Sequence, residues 1–186
     1  MDGDLKIELR ELQVNDLDAY LYFNHPDREY HKYDGPYYHH KNEEELRIFV
    51  DELKQKFMQG EDQVLPNKKL IIDGRTKVIL GQVNWYWKSV ETLWLEVGIV
   101  LYDEGIWGHG VGKTALKLWI NEVFLIHPQI VRVGLSTWSG NLRMIRLAKR
   151  LGMTREACYR KARIVNGAYY DSISYGVLRE EWEFNI

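Results

Sequence analysis

Between residues 94 and 124 the chain passes from an apolar, β-branched run, "WLEVGIVLY", through a glycine-spaced segment, "DEGIWGHGVGK", into a stretch of helical period. Val111, Ala115, Leu116, Trp119, Ile120, Val123 and Phe124 fall on one face of that helix. A further apolar run, "IVRVGLSTW", follows it. Strand, glycine loop, helix and strand in this order predict a single parallel crossover, which fixes the handedness of whatever sheet surrounds it.

The loop ends in Gly112-Lys113-Thr114, as a nucleotide-binding P-loop does. A P-loop requires a glycine where this chain has Trp107, and a dinucleotide fingerprint requires one where it has Lys113. Both patterns fail. What remains is Gly108, Gly110 and Gly112 at the first turn of a helix, where free N–H groups and the helix dipole attract an anion such as a pyrophosphate. A plain strand-to-helix turn with a solvated Lys113 is the competing reading.

Around this unit the chain predicts one domain over 1–186, a size that buries about 70% of its unfolded surface. "LKIELREL" alternates apolar Leu5, Ile7 and Leu9 with charged residues, as a strand with one wet face does. Asn15 and Asp16 offer caps for a short helix reaching Asn24. Asn42 opens a longer helix with a stripe of Leu46, Phe49, Val50, Leu53 and Phe57, which Gly60 ends. Three antiparallel strands precede the crossover. A helix over 141–151 and a hairpin around "NGAY" follow it. The order is β-α-α-β-β-β-α-β-α-β-β, a mixed α+β sheet with helices.

Net charge is −2, which gives no electrostatic case for nucleic acid. No window approaches the ~20 apolar residues of a membrane span, and "MDGDLKIELRELQ" lacks a signal-peptide core. A single cysteine, Cys158, excludes an internal disulfide and fits a reducing, cytoplasmic setting; it reads as a small buried residue. Of six histidines, the His39-His40 pair has no second pair at ligand spacing, so no metal is expected.

With these residues in place, "LEVGIVLYDEGIWGHGVGKTAL" resembles motif A of the GNAT N-acetyltransferases, which cradles the pyrophosphate of acetyl-CoA. Trp107 stands where Arg or Gln is commonest, a form found in the RimJ/RimL-type branch of ribosomal-protein N-terminal acetyltransferases. "NLRMIRLAKRLGM" is similar to motif B, and "NGAYYDSISYGVLREEW" resembles the tail of that branch. The resemblance implies a mostly antiparallel sheet of about seven strands with about four helices, splayed between strands 4 and 5. It implies acetyl-CoA as co-substrate and an amine acceptor, either a protein N-terminus or a small amine. A homodimer is left open.

Carried over residue by residue, main-chain groups of Ile99, Val100 and Leu101 would meet pantetheine, and an N–H near Val97 or Gly98 the thioester oxygen, with Gly98 suited to a bulge. Backbone N–H groups from Trp107 through Gly108, His109, Gly110, Val111, Gly112 and Lys113 would hold the pyrophosphate, and Thr114 would join them as a cofactor contact. Asn141 is a cofactor contact, an N-cap, or both. Glu96, a carboxylate in an apolar run, is the candidate general base, against a solvated or lysine-paired role. The acids usual in motif B are replaced by Met144 and Ala148. A thiolate of pKa ~8.5 can take its proton from water, with Ser139, Tyr159 and Tyr170 as alternatives. The loop "HPDREYHKYDGPYYHH" offers His31, Tyr33, Asp34, Tyr37 and Tyr38 to the acceptor, or is a surface loop tied by tyrosine packing. Asp171 reads as a strand-start residue rather than an acceptor carboxylate.

Overall fold

A computed structural model describes residues 6–182; Leu5, the first apolar position of the expected opening strand, lies outside them. Seven strands form one sheet in the order β1-β2-β3-β4-β5-β7-β6. They are β1 (Ile7–Arg10), β2 (Lys68–Asp73), β3 (Ile79–Ser89), β4 (Trp94–Leu101), β5 (Arg132–Trp138), β6 (Thr154–Val165) and β7 (Ala168–Leu178). The α-helices are α1 (Leu17–Phe23), α2 (Glu43–Met58), α3 (Val111–Ile126) and α4 (Leu142–Arg150). Every pairing is antiparallel except β4 with β5, the two strands joined by α3.

Each face of the sheet has its own core because alternate residues of a strand point to opposite sides. On one face Ile71, Val83, Leu95, Val97, Val133 and Leu135 pack under α3, whose seven expected apolar positions are all buried. On the other, Leu70 and Ile72 meet Leu17, Tyr20, Leu46, Val50 and Leu53 of α1 and α2. Leu95 and Val97 belong to the α3 face, so Glu96 and Gly98 belong to the other.

Local signals explain most boundaries. Asn42 caps α2, accepting from the Glu45 N–H at 2.9 Å while the Glu45 carboxylate returns the bond at 2.8 Å. Asp16 does not cap α1; its carboxylate accepts from Gln13 N–H and pairs with Arg10 at 2.6 Å. The β6–β7 turn is Asn166-Gly167, both at positive φ (49° and 77°), which matches the twist of the flanking strands. Asp171 lies inside β7, not at its start, and accepts the N–H of Lys161 at 2.9 Å where the β6 register is irregular. Cys158 is exposed, against expectation, because β6 is the sheet's edge strand.

Candidate active site

β4 and β5 pair only at Leu95↔Val133 and Glu96↔Gly134, after which they separate. Between them opens a cleft of about 740 Å³, walled by Val97–Leu101 on one side and Ser136–Trp138 on the other, with α4 and the 24–42 loop above. The expected bulge at Gly98 is absent, since β3 and β4 stay in register there. Gly98 instead makes room for the Asn84 side chain, whose Oδ1 occupies the space a Cβ would need.

The glycine loop lies at one end of the cleft. Gly108 and Gly110 have φ of +85° and +88°, and a Cβ on either would point into open space. Their bareness therefore serves backbone conformation and close approach rather than packing. Gly110 caps α3 without a side-chain partner, and the first helical bond across the cap is Thr114 N–H to Gly110 O at 3.1 Å. The N–H groups before it are the unpartnered donors of a helix start. The N–H of Trp107 is already given to Glu104 O at 3.0 Å, so the free donors begin after it. The Trp107 indole gives its N–H to the Leu101 carbonyl at 3.1 Å, tying the loop to the end of β4 and engaging that carbonyl. The side chains of His109, Val111 and Thr114 do not line the cleft; Val111 is in the core.

Glu96 is 1% exposed and lies beneath the middle of the cleft. Tyr86, its cross-strand partner, donates its hydroxyl to Oε2 at 2.6 Å, and Ser136 donates to Oε1 at 3.0 Å. Ser136 Oγ is also 3.3 Å from Ser174 Oγ. Tyr86 and Ser136 line the cleft, whereas Glu96 does not. Among the described residues no lysine or arginine pairs with Glu96. Burial, and then the Glu96 charge, push the Tyr86 hydroxyl well above its ordinary value, so it remains a donor. A buried carboxylate without a cation is costly to keep, and such groups concentrate at functional sites.

The 24–42 loop is clamped to the far wall. The Tyr33 carbonyl accepts from Trp138 Nε1 at 3.1 Å and from Asn141 Nδ2 at 3.2 Å. Asn141 Oδ1 accepts from Met144 N–H at 3.0 Å, so this residue both caps α4 and holds the loop, with its side chain on the cleft wall. Tyr33, Asp34, Tyr37 and Tyr38 line the cleft, and His31 does not. Crowding by the protein pushes the Asp34 carboxyl up, although its surface stays open to the cleft. Neither His39 nor His40 turns to the other: His39 meets Glu45 at 3.2 Å and His40 the Gly35 carbonyl at 3.2 Å.

Residues 6–154 match the family model described as the Acetyltransferase (GNAT) domain. The chain belongs to the GNAT acetyltransferase family. A 78-residue segment is 36% identical to the SPbeta prophage-derived uncharacterized N-acetyltransferase YokL of Bacillus subtilis (strain 168), covering 42% of this chain and 44% of that protein. The chain thus spans under half the length of the curated relative it matches. Spermidine N-acetyltransferase from Vibrio cholerae, solved with CoA and spermine, superposes with a TM-score of 0.72 at 18% identity, over 94% of this chain and 96% of that one. RimL, a ribosomal L7/L12 α-N-protein acetyltransferase solved with CoA, gives 0.65 at 20% identity, over 92% and 93%. At such identities the likeness is one of fold.

Within this GNAT cleft the sequence reading missed several residues. Arg143, Arg146 and Arg150 line it from α4 near the glycine loop, and Arg143 stacks 4.5 Å from the Trp107 ring centroid. Their spacing on one helix face was readable in "NLRMIRLAKRLGM". Of the motif B positions, Met144 lines the cleft but Ala148 is fully buried in the α3 core. Ser139, Tyr159 and Tyr170 do not line the cleft. The Ser139 hydroxyl accepts the N–H of Asp171 at 3.0 Å.

His31 carries a pH prediction instead of a ligand. Both ring nitrogens are buried without partners, against Tyr30 at 4.2 Å and His40 at 5.1 Å, and burial pushes the imidazole down from 6.5. As pH falls below about 6.5 the unfolded chain takes up a proton that folded His31 resists. Stability is therefore expected to fall on acidification from pH 7.5 to 5.5. His31→Gln should flatten that slope of Tm against pH, and an unchanged slope would remove His31 from the account.

Proposed function

We propose that this chain is an acetyl-CoA-dependent N-acetyltransferase that passes the acetyl group directly to a primary amine in a ternary complex. The observation that carries this reading is the splay of β4 from β5, which joins a bare glycine cradle to a buried carboxylate through one cleft. When bound, acetyl-CoA supplies an acetyl group activated as a thioester. The free N–H groups from Gly108 to Lys113, with Lys113 and the α4 arginines, suit its phosphates. The β4 edge from Val97 suits pantetheine, because that edge has lost its β5 partner.

An amine attacks only without its extra proton. Ser136 faces the cleft and already donates to Glu96 Oε1. A proton leaving the ammonium passes to Ser136 Oγ as the hydroxyl proton moves to Glu96, which leaves the amine lone pair free. Met144 offers no acid for the departing thiolate, so that proton comes from water.

Acceptors open to this cleft are a protein or peptide N-terminal amine, in keeping with the RimJ/RimL-type resemblance, and small amines. A second reading, a silent acyl-CoA-binding module, is favoured by Met144 and Ala148 at the acid positions. Acetyl-CoA should raise Tm while ATP does not. Gly110→Val, which forces a β-branched residue to φ near +88°, should abolish the shift. Release of CoA thiol across a panel of amines and peptides separates enzyme from silent binder; no release with any acceptor would sink the enzyme reading.

A further inference from the structure

One charged group at the acceptor end is left unused by the transfer chemistry. Arg163, on β6, lines the cleft with its guanidinium 4.5 Å from the Tyr37 ring centroid and 5.5 Å from that of Tyr38. Its guanidinium donates to the Tyr38 hydroxyl at 3.3 Å and also reaches the Tyr37 hydroxyl, both neutral groups, and its Nε is buried without a partner. No described carboxylate pairs with it. Other half-buried arginines have a carboxylate or several carbonyls: Arg10 forks onto Asp16, Arg132 meets Glu156 although its Nη1 is buried without a partner, and Arg179 donates to the carbonyls of Phe124, His127 and Ile130. A stacked guanidinium with donors to spare matches a carboxylate in geometry and charge.

Its surroundings place it beside the reaction centre. The Tyr37 hydroxyl feels both Arg163 and Asp34, and Tyr86, which holds Glu96, feels Tyr37 and Tyr38. Lys88 lines the same region of the cleft. The carboxylates among the described lining residues are Asp34 and Glu104, a sparse set for a polycation.

Resting on the acetyltransferase reading, we propose that the acceptor carries a carboxylate close to its amine and that Arg163 binds it. A free amino acid and the acidic first residues of a peptide share this chemistry.

The test is steady-state kinetics on matched pairs: an amino acid against its amide, and a peptide beginning with Asp against one beginning with Asn, with spermidine, a polycation that carries no carboxylate, as the control. The wild type should prefer the acid of a pair by about 10–100-fold in kcat/KM. Arg163→Gln should bring that ratio toward one, and Arg163→Lys should recover part of it. A merely structural role for Arg163 would lower both members of a pair alike. The pair in which the ratio depends on Arg163 names the source of the carboxylate. Spermidine as the best acceptor, or an acid-to-amide ratio untouched by Arg163→Gln, would overturn the proposal while leaving the transferase reading intact. Absence of thiol release with every acceptor would overturn both, and the acetyl-CoA shift in Tm would show whether binding survives.

Discussion

Glu96→Gln is expected to lower kcat by about 10²–10⁴-fold, the range for losing a positioned proton acceptor. Acetyl-CoA affinity should stay the same, because Glu96 does not line the cleft. The fold should hold as well. Glutamine has the same shape, and the Tyr86 and Ser136 hydroxyls can each turn to donate to its oxygen or accept from its amide. A loss of kcat without loss of Tm therefore isolates the chemistry. Ser136→Ala refines the route. If the proton passes through Ser136 Oγ, this variant should approach the defect of Glu96→Gln. Near-wild-type turnover in Ser136→Ala would mean that water reaches the carboxylate directly. Unchanged kcat in Glu96→Gln would remove the carboxylate from the mechanism.

Why Glu96 was legible and its partners were not follows from the physics of sheets. A carboxylate inside "LWLEVGIV" stands out from its own neighbours. Tyr86 and Ser136 become its partners through register: Tyr86 lies opposite it across an antiparallel pair, and Ser136 lies just beyond the last parallel pair with β5. Register is a property of two strands together, and one strand's sequence does not state it. The same limit explains Gly98, read as a bulge but emptied for Asn84 on the neighbouring strand. Cys158 was judged by residue type, whereas its exposure was decided by β6 becoming the edge. Single-element features fared better. The α3 stripe, the Asn42 cap and the Asn166-Gly167 turn depend on contacts within a few residues, where periodicity and turn chemistry are sufficient. The loop lies between these cases. Its tyrosines were singled out, but His31 turned away from the cleft, because a segment without a period gives no sign of which side chains face inward.

Trp119→Ala is expected to cost about 3–5 kcal/mol, the range for emptying a large aromatic from a packed core. Trp119 is 1% exposed at the centre of the α3 face, and its indole N–H donates to the Asn84 carbonyl at 2.9 Å. For a domain of this size such a loss lowers Tm by roughly 6–20 °C, and it takes a large share of a typical stability of 5–15 kcal/mol. Trp119→Phe is the more informative change. It keeps most of the ring volume but leaves the Asn84 carbonyl without its donor, at about 1–3 kcal/mol. Asn84 lines the cleft and its side chain lies against Gly98, so β3 is held at the cleft floor by a residue of the opposite core. Trp119→Phe should therefore raise the acceptor KM at temperatures where the protein is still folded, with acetyl-CoA affinity nearly unchanged. A fall in Tm with both constants unchanged would mean that the Trp119–Asn84 bond serves stability alone. A shift in acceptor KM would mean that α3, whose N-terminus carries the glycine cradle, also sets the floor on which the amine is placed.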